Sequence, residues 1–521
     1  MALALQSMEM MNKPNRRDFL KLAGLVPAGM MASRLLPSLD ARSLQQGGAG
    51  NVLVIVFDAW SAYHVSNYGY PRETMPNLAR LAQRAVVYHN HYAGGNFTTP
   101  GTASLLTGTL PWTHRALQPN GTVIEPYVTR NIFSAFPNHY RIAYTHNPWA
   151  NKLLEQFDSQ MKELVPRLSL FLESYDRYIR SAFKKDEDIA SVSWVRNVNI
   201  AEQGYAYSLL FSHLNEAIRE RSIRGLEKSF PRGIPSIGTA ENSFILEDAT
   251  NWVGNRLPKI PQPFLGYFHF LPPHGPYRTS QDFYNRFAQD GYKPVDKPED
   301  VFTQKVSKAE LFRKRNEYDE FLLYADREFG RLFDQLEASG LMDNTWVVIT
   351  SDHGEMFERG IDGHSVDALY EPVIRIPLMI FEPGRVQGMD IHTPTSAIDI
   401  LPTMLHVTGQ PVPDWVEGTV LAPYAVSGPD PNRSVFVVRA NKTGYRDPIT
   451  RTSLTLTQGR YKLHYYFGYE ERNIDELVKL YDVEADPEEL TDIISTQKGI
   501  ADRLLAELMA KLDEANKPYL S

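Results

Sequence analysis

Asn51-Val52-Leu53-Val54-Ile55-Val56-Phe57-Asp58 is an unbroken apolar run closed by a carboxylate. A strand wetted on one face alternates polar and apolar residues. A run without alternation, rich in β-branched side chains, reads as a strand buried on both faces, and such strands belong to parallel sheets covered by helices. Ligands of those sheets collect outside the carboxyl ends of the strands, which is where Asp58 stands. An aspartate there can also merely cap the next turn. Two more runs repeat the pattern. Thr345 to Thr350 leads into Ser351-Asp352-His353-Gly354-Glu355, and Phe264 to Leu271 leads into Pro272-Pro273-His274-Gly275-Pro276-Tyr277. Shorter strands are expected at Val86-Val87-Tyr88 and between His139 and Asn147, with helices over Met75–Ala85 and about Lys308–Leu336. The expected fold is therefore α/β, with a large, mostly parallel central sheet between helices.

Between the early strands lies Gly94-Gly95-Asn96-Phe97-Thr98-Thr99-Pro100-Gly101-Thr102-Ala103-Ser104-Leu105-Leu106-Thr107-Gly108. Thr99 suits a helix N-cap, Pro100 the first helical position and Gly108 the left-handed residue past the end. Thr98 would then sit just ahead of the helix, where free N–H groups and the positive dipole end favour an anion. Gly94 and Gly95 would let the backbone approach a ligand closely. A hydroxyl held where an anion binds is a candidate nucleophile.

The chain has 521 residues, enough for one large α/β domain with additions, and a net charge of −8, which argues against a nucleic-acid partner. It has no cysteine, so disulfides, thiolate metal sites and a cysteine nucleophile are excluded together. Asn15-Arg16-Arg17-Asp18-Phe19-Leu20-Lys21 is a twin-arginine signal pattern, followed by an apolar run from Leu22 to Leu36 too short to span a bilayer comfortably. Residues 1–41 are read as this signal, cleaved near Ala41 or left as a tether. The reading places the folded protein in the periplasm or outside the cell, with the translocase as a transient partner and no transmembrane domain. From Asn151 to about Arg256, Leu164, Leu168, Phe171, Tyr175 and Tyr178 recur at helical spacing with little strand signal, which suggests a helical insertion. A catalytic domain is expected over 50–415 and a small α+β subdomain over 416–521, with strands near Ser434–Ala440 and Arg460–Tyr466 and a helix from about Gln497 to Asn516.

Asp58, Asp352, His353 and Thr98 together supply oxygen ligands and one imidazole for a divalent ion, Zn²⁺, Mn²⁺, Mg²⁺ or Ca²⁺. The cation would relieve the repulsion of paired carboxylates and favour the alkoxide of Thr98. His274 and His364, the latter in Asp362-Gly363-His364-Ser365, are left to hold the transferring group or protonate the leaving group. Asn96, His146 and Asn147 are assigned to substrate binding.

With these residues assembled, the chain resembles the sulfatase branch of the alkaline phosphatase superfamily. Asn51–Asp58 resembles its first metal-binding strand, and Thr98-Thr-Pro-Gly-Thr-Ala-Ser-Leu-Leu-Thr-Gly108 its nucleophile segment. Pro273-His274-Gly-Pro-Tyr277, Ser351–Gly354, Leu369-Tyr-Glu371, Ala397–Thr403 and Lys479–Glu488 resemble later landmarks. The departures are informative. Thr98 stands where sulfatases carry the Cys or Ser that becomes formylglycine, and a threonine oxidised at its β-carbon would give a ketone, so no formylglycine is expected. Thr102 replaces the motif's arginine, Ala59 the second aspartate of the first strand, and the family's lysine has no counterpart near His146-Asn147. A threonine nucleophile is instead similar to that of the phosphodiesterase and phosphotransferase relatives, which pass through a phospho-threonine. The resemblance thus implies a hydrolase of phosphate esters, most of all phosphodiesters. Alternatives are a sulfatase, a phosphoethanolamine- or phosphoglycerol-type transferase, and a silent protein that binds an anionic ligand. One metal ion is favoured; a second would have to draw on His269, His274 and His364.

Overall fold

A computed structural model of the chain describes residues 50–172, 221, 223–237 and 243–520. The twin-arginine segment lies outside these residues, as do Tyr175, Tyr178 and most of the middle of the expected insertion.

Among the described residues eight strands form the central sheet: β1 (Asn51–Phe57), β2 (Val86–Tyr88), β3 (Tyr140–Thr145), β4 (Glu163–Leu164), β5 (Phe264–Phe270), β6 (Thr345–Thr350), β7 (Leu378–Phe381) and β8 (Met389–Ile391). Their order across the sheet is β8-β2-β7-β6-β1-β5-β3-β4. β1 pairs in parallel with β5 and β6, so that Val56 lies opposite both His269 and Thr350. Within this sheet β7 alone runs against its neighbours. The expected mostly parallel α/β sheet is what the chain forms.

Every residue of β1, β5 and β6 is buried, because both faces are covered. Leu53, Ile55 and Phe57 enter one core with side chains of helices α1 (Pro76–Ala82), α4 (Leu246–Arg256) and α5 (Lys308–Ala338). Val52, Val54 and Val56 point the other way, toward α2 (Thr98–Thr107), α3 (Pro148–Gln156) and α6 (Ile400–Val407). The alternation of successive Cβ atoms across the sheet produces both cores from one strand. α4 falls inside the stretch read as an insertion, yet its Leu246, Ala249 and Val253 belong to the first core. β4, in the same stretch, extends the central sheet. Of the apolar residues read at helical spacing there, Leu164 packs against the second core and Phe171 against Phe244 and Leu271, while Leu168 is exposed.

α2 corrects the expected cap. The helix begins at Thr98, its N-cap is Phe97 without a side-chain cap, and Pro100 is the third helical residue. Gly108 closes it at φ 66°, as expected. Gly94 and Gly95 are used for packing against the chain itself: a Cβ on Gly94 would stand 2.2 Å from Ser104 Oγ, and one on Gly95 2.7 Å from Pro100.

The last part of the chain forms an antiparallel sheet of β9 (Ser434–Arg439), β10 (Thr452–Gln458), β11 (Tyr461–Tyr469) and β12 (Ile474–Asp482). Helix α7 (Lys498–Asn516) buries Leu504, Leu508 and Leu512 against Leu454, Leu456 and Leu463 of that sheet. β9 reaches back to the turn that precedes α2, Val438 N–H donating to Gly94 O at 3.0 Å.

Candidate active site

The carboxyl ends of β1, β3, β5 and β6 and the first turn of α2 converge. Asp58 follows β1 directly and Asp352 and His353 follow β6. Ser351 Oγ pins these two strand ends together: it lies 2.6 Å from both Phe57 O and His353 O and accepts from Trp60 N–H at 2.9 Å. Asp58, Asp352 and His353, all fully buried, place one ligand atom each within 4.8 Å of one another. His353 Nδ1–H donates to Gly354 O at 2.9 Å, which leaves Nε2 bare and aimed at Thr98 Oγ1, 3.5 Å away.

α2 delivers Thr98 to this set. A Cβ on Gly101 would stand 2.0 Å from Asp352 O, so only glycine lets the helix rest on the β6 exit. The first helical bond is Gly101 N–H to Phe97 O, which leaves the N–H groups of Thr98 and Thr99 ahead of the bonded turns. Asn147 caps α3: its Oδ1 accepts from Trp149 N–H at 2.7 Å and Ala150 N–H at 3.3 Å. The other end of the amide is thereby directed at Thr98 Oγ1, 3.2 Å away, and at Asp58 Oδ2, with which it makes a short contact.

The two carboxylates differ in their hold on a proton. Burial raises Asp352, with the negative charge of Asp58 adding to it, whereas Asp58 is held well below the usual range: burial is outweighed by His274 and by contacts to His269 and His353. Burial opposes a charge on His353, but Asp352 and Asp58 raise it to about 9. Two carboxylates and a bare imidazole nitrogen that draw a proton in this way also suit a divalent ion. Asp58 Oδ1, buried and without a hydrogen-bond partner, fits that occupant.

His274 and His364 stand on the open side of this set, their rings 4.9 Å apart. His274 Nδ1–H donates to Gly275 O at 2.7 Å, and His364 Nδ1 lies 2.9 Å from Glu355 Oε1, so each keeps Nε2 for the cleft. Burial pushes His364 down to about 4. Burial would raise Glu355, but His364, His274 and His353 hold it below its usual value. Thr98, Asn147, His274 and His364 line one cavity of ≈ 440 Å³ whose walls include Pro148, Trp149, Ile237 and Leu271. The pocket thus joins a polar floor to apolar sides.

Two residues assigned to substrate binding lie elsewhere. His146 is fully buried, stacked on Phe244 at 4.3 Å among Tyr144, Phe171 and Phe270, and burial lowers it to about 3. Asn96 is also fully buried and works as a clamp: its Nδ2 donates to His364 O and Val366 O, and its Oδ1 accepts from Arg439 Nη1. Both residues sit beside the pocket without lining it. Conversely, sequence reasoning gives Glu355 no role, although it stands two residues past His353, and gives His269 one only at a second ion. The signal is present in both cases: a carboxylate in a tight Asp-His-Gly-Glu series, and an imidazole inside an otherwise apolar strand.

Comparison with known proteins agrees with this geometry. Residues 50–410 match the Sulfatase family model, and residues 365–518 match the model for the C-terminal part of N-sulphoglucosamine sulphohydrolase. A choline-sulfatase of Rhizobium meliloti (strain 1021) is 23% identical over 491 residues, 88% of this chain and 84% of the relative. A multifunctional alkaline phosphatase superfamily protein, PehA of Trinickia caryophylli, is 24% identical over 73% of this chain and 77% of its own. The crystal structure of a phosphonate monoester hydrolase of Agrobacterium radiobacter superposes with a TM-score of 0.63 at 19% identity, over 90% of this chain and 96% of that one. The family match spans well over half of the sequence and coincides with the sheet and ligand set described above: the chain belongs to the Sulfatase family of hydrolases, in the alkaline phosphatase-like superfamily.

Proposed function

We propose that the protein hydrolyses phosphate esters, phosphodiesters foremost, through Thr98 as nucleophile. The observation that carries this reading is the placement of the Thr98 hydroxyl at the ion-ligand set, 3.2 Å from Asn147 Nδ2 and 3.5 Å from His353 Nε2, in a chain without cysteine. Asp58, Asp352 and His353 would hold a divalent ion, whose charge would favour the threonine alkoxide and neutralise the transferring group. Thr98 Oγ1 attacks phosphorus, and the bond to the leaving oxygen breaks with its electron pair staying on that oxygen. His274 gives it a proton. Water then attacks the phospho-threonine, the Thr98 oxygen leaves, and the bare Nε2 of His364 accepts the proton from water. Passage of that proton between the two neighbouring imidazoles restores the start. Asn147 donates to the nucleophile and then to the group bound on it. The apolar walls take the organic arm of the ester.

A sulfate ester is the second reading, supported by the similarity to a choline-sulfatase along most of both chains. Metal-loaded protein assayed on matched aryl phosphodiester, phosphomonoester and sulfate esters separates the two. Diester turnover should be fastest, fall about 10⁴-fold in Thr98→Ala, survive in part in Thr98→Ser, and leave phosphate on Thr98 after acid quenching, read by mass spectrometry. Faster sulfate turnover, lost in Thr98→Ala, would assign the sulfatase reading, and undiminished rates in that variant would exclude the threonine. The twin-arginine pattern at Arg16-Arg17 supports export to the periplasm or beyond, and the division at about residue 415 is proposed as the boundary of the catalytic domain.

A further inference from the structure

We infer that His269 is a fourth protein ligand of the ion, so that two imidazoles beside two carboxylates favour a borderline transition ion, Zn²⁺ before Ca²⁺ or Mg²⁺. The inference rests on the metal-binding part of the proposed function but on no particular ester. His269 is the penultimate residue of β5, the strand next to β1, and is fully buried. Its Nε2 has no hydrogen-bond partner, although it lies 3.3 Å from Asp58 Oδ2 and 3.7 Å from Asp352 Oδ2. A charge-assisted hydrogen bond would bring nitrogen and oxygen to about 2.7–2.9 Å. The observed gaps are too long for that, and they leave the nitrogen facing both carboxylates. His353 Nε2 faces the same pair from the other side, 3.4 Å from Asp58 Oδ1 and 3.6 Å from Asp352 Oδ2.

The surroundings of His269 accept the tautomer that this role needs. Nδ1 lies 3.2 Å from Tyr267 Oη, and donation from Nδ1–H to that hydroxyl leaves Nε2 bare. Ala59, which follows Asp58, carries no donor, so the fourth place falls to the neighbouring strand. Two nitrogen donors are poorly matched to Ca²⁺ and Mg²⁺, which take oxygen, and well matched to Zn²⁺.

X-ray absorption of the unmodified protein loaded with one equivalent of Zn²⁺ tests this without any variant: two imidazoles in the ligand shell are expected, and a single one overturns the assignment. In parallel, competition titrations compare Zn²⁺ and Ca²⁺ affinity in the parent, His269→Ala and Asp58→Asn. His269→Ala should weaken Zn²⁺ by more than the roughly 10–100-fold that follows loss of a group behind a ligand, and should leave Ca²⁺ affinity nearly unchanged. Equal Zn²⁺ affinity in the parent and His269→Ala, or tighter binding of Ca²⁺ than Zn²⁺ by the parent, overturns it. Binding lost in Asp58→Asn but kept in His269→Ala rejects the fourth ligand while leaving the metal site intact. Failure to take up any ion rejects both. None of these readings depends on which ester is cleaved.

Discussion

Asn147 accepts from the N–H groups of Trp149 and Ala150 at one end of its amide, and this commits the other end to Asp58 and Thr98. A capping residue thereby becomes a fixed donor at the Thr98 hydroxyl. Asn147→Ala should cost about 0.5–2 kcal/mol of stability through the lost cap and roughly 10²–10³-fold in kcat through the lost donor. Asn147→Asp keeps the cap but puts a third carboxylate beside an anionic substrate, so KM should rise as well as kcat fall. Steady-state kinetics beside urea midpoints would check both, and an Asp variant with parental KM would show that the amide does not face the substrate. The sequence marked Asn147 as a substrate group but could not show why its neighbour His146 fails. Adjacent residues leaving a strand point opposite ways, and here the second face is filled by Phe171, Phe244 and Phe270.

At the scale of elements, α2 and the β6 exit meet at Gly101, where a Cβ would fall 2.0 Å from Asp352 O. Gly101→Ala should lift the first turn of the helix off the ligand strand. The expected loss is about 1–3 kcal/mol, as for other insertions into a packed interior, together with a lower kcat as Thr98 moves from His353. Denaturant midpoints and turnover of the same protein would read both, and a variant equal to the parent in the two would mean that the backbones separate freely. The strands themselves were legible, because an unbroken β-branched run has few other uses. The start of α2 was not. Thr99 and Pro100 suit a cap and a first turn by local chemistry, yet packing of Gly94 on Ser104 and of Gly95 on Pro100 sets where the helix begins. The nearness of His269 to Asp58 was hidden for a related reason, since it comes from the register that places His269 opposite Val56, two residues short of Asp58. Pairing register is a tertiary fact, and residues 213 apart in sequence do not announce it.

Across the whole molecule, several imidazoles away from the ion are buried in their neutral form. Burial lowers His91 and His114 to about 3 and His464 to about 4, from 6.5. His114 shows the cost of a second proton: its Nδ1 accepts from Ala116 N–H at 3.0 Å while Nε2 lies 3.1 Å from Ser104 Oγ, so protonation would break the first contact. Each of these groups is held below its unfolded value, so the unfolded chain binds the extra protons. Their contribution to stability is present above pH 6.5 and is lost as the pH falls toward 3–4, by up to about 1.4 kcal/mol per pH unit for each histidine. Calorimetry of metal-saturated protein should give a Tm that is steady above pH 7 and falls steadily below pH 6.5. A Tm unchanged from pH 7 to pH 5 would contradict that neutral burial. The order of strands around β1 has one more effect, on when the protein can come into being during synthesis. β1 leaves the ribosome early, but its two partners are β5 and β6, which begin at Phe264 and Thr345. Until those residues emerge, an entirely apolar segment has open edges on both sides and depends on chaperone cover. Asp352 and His353 follow at the exit of β6, so a divalent ion that needs all three of Asp58, Asp352 and His353 could load only after residue 353 has emerged.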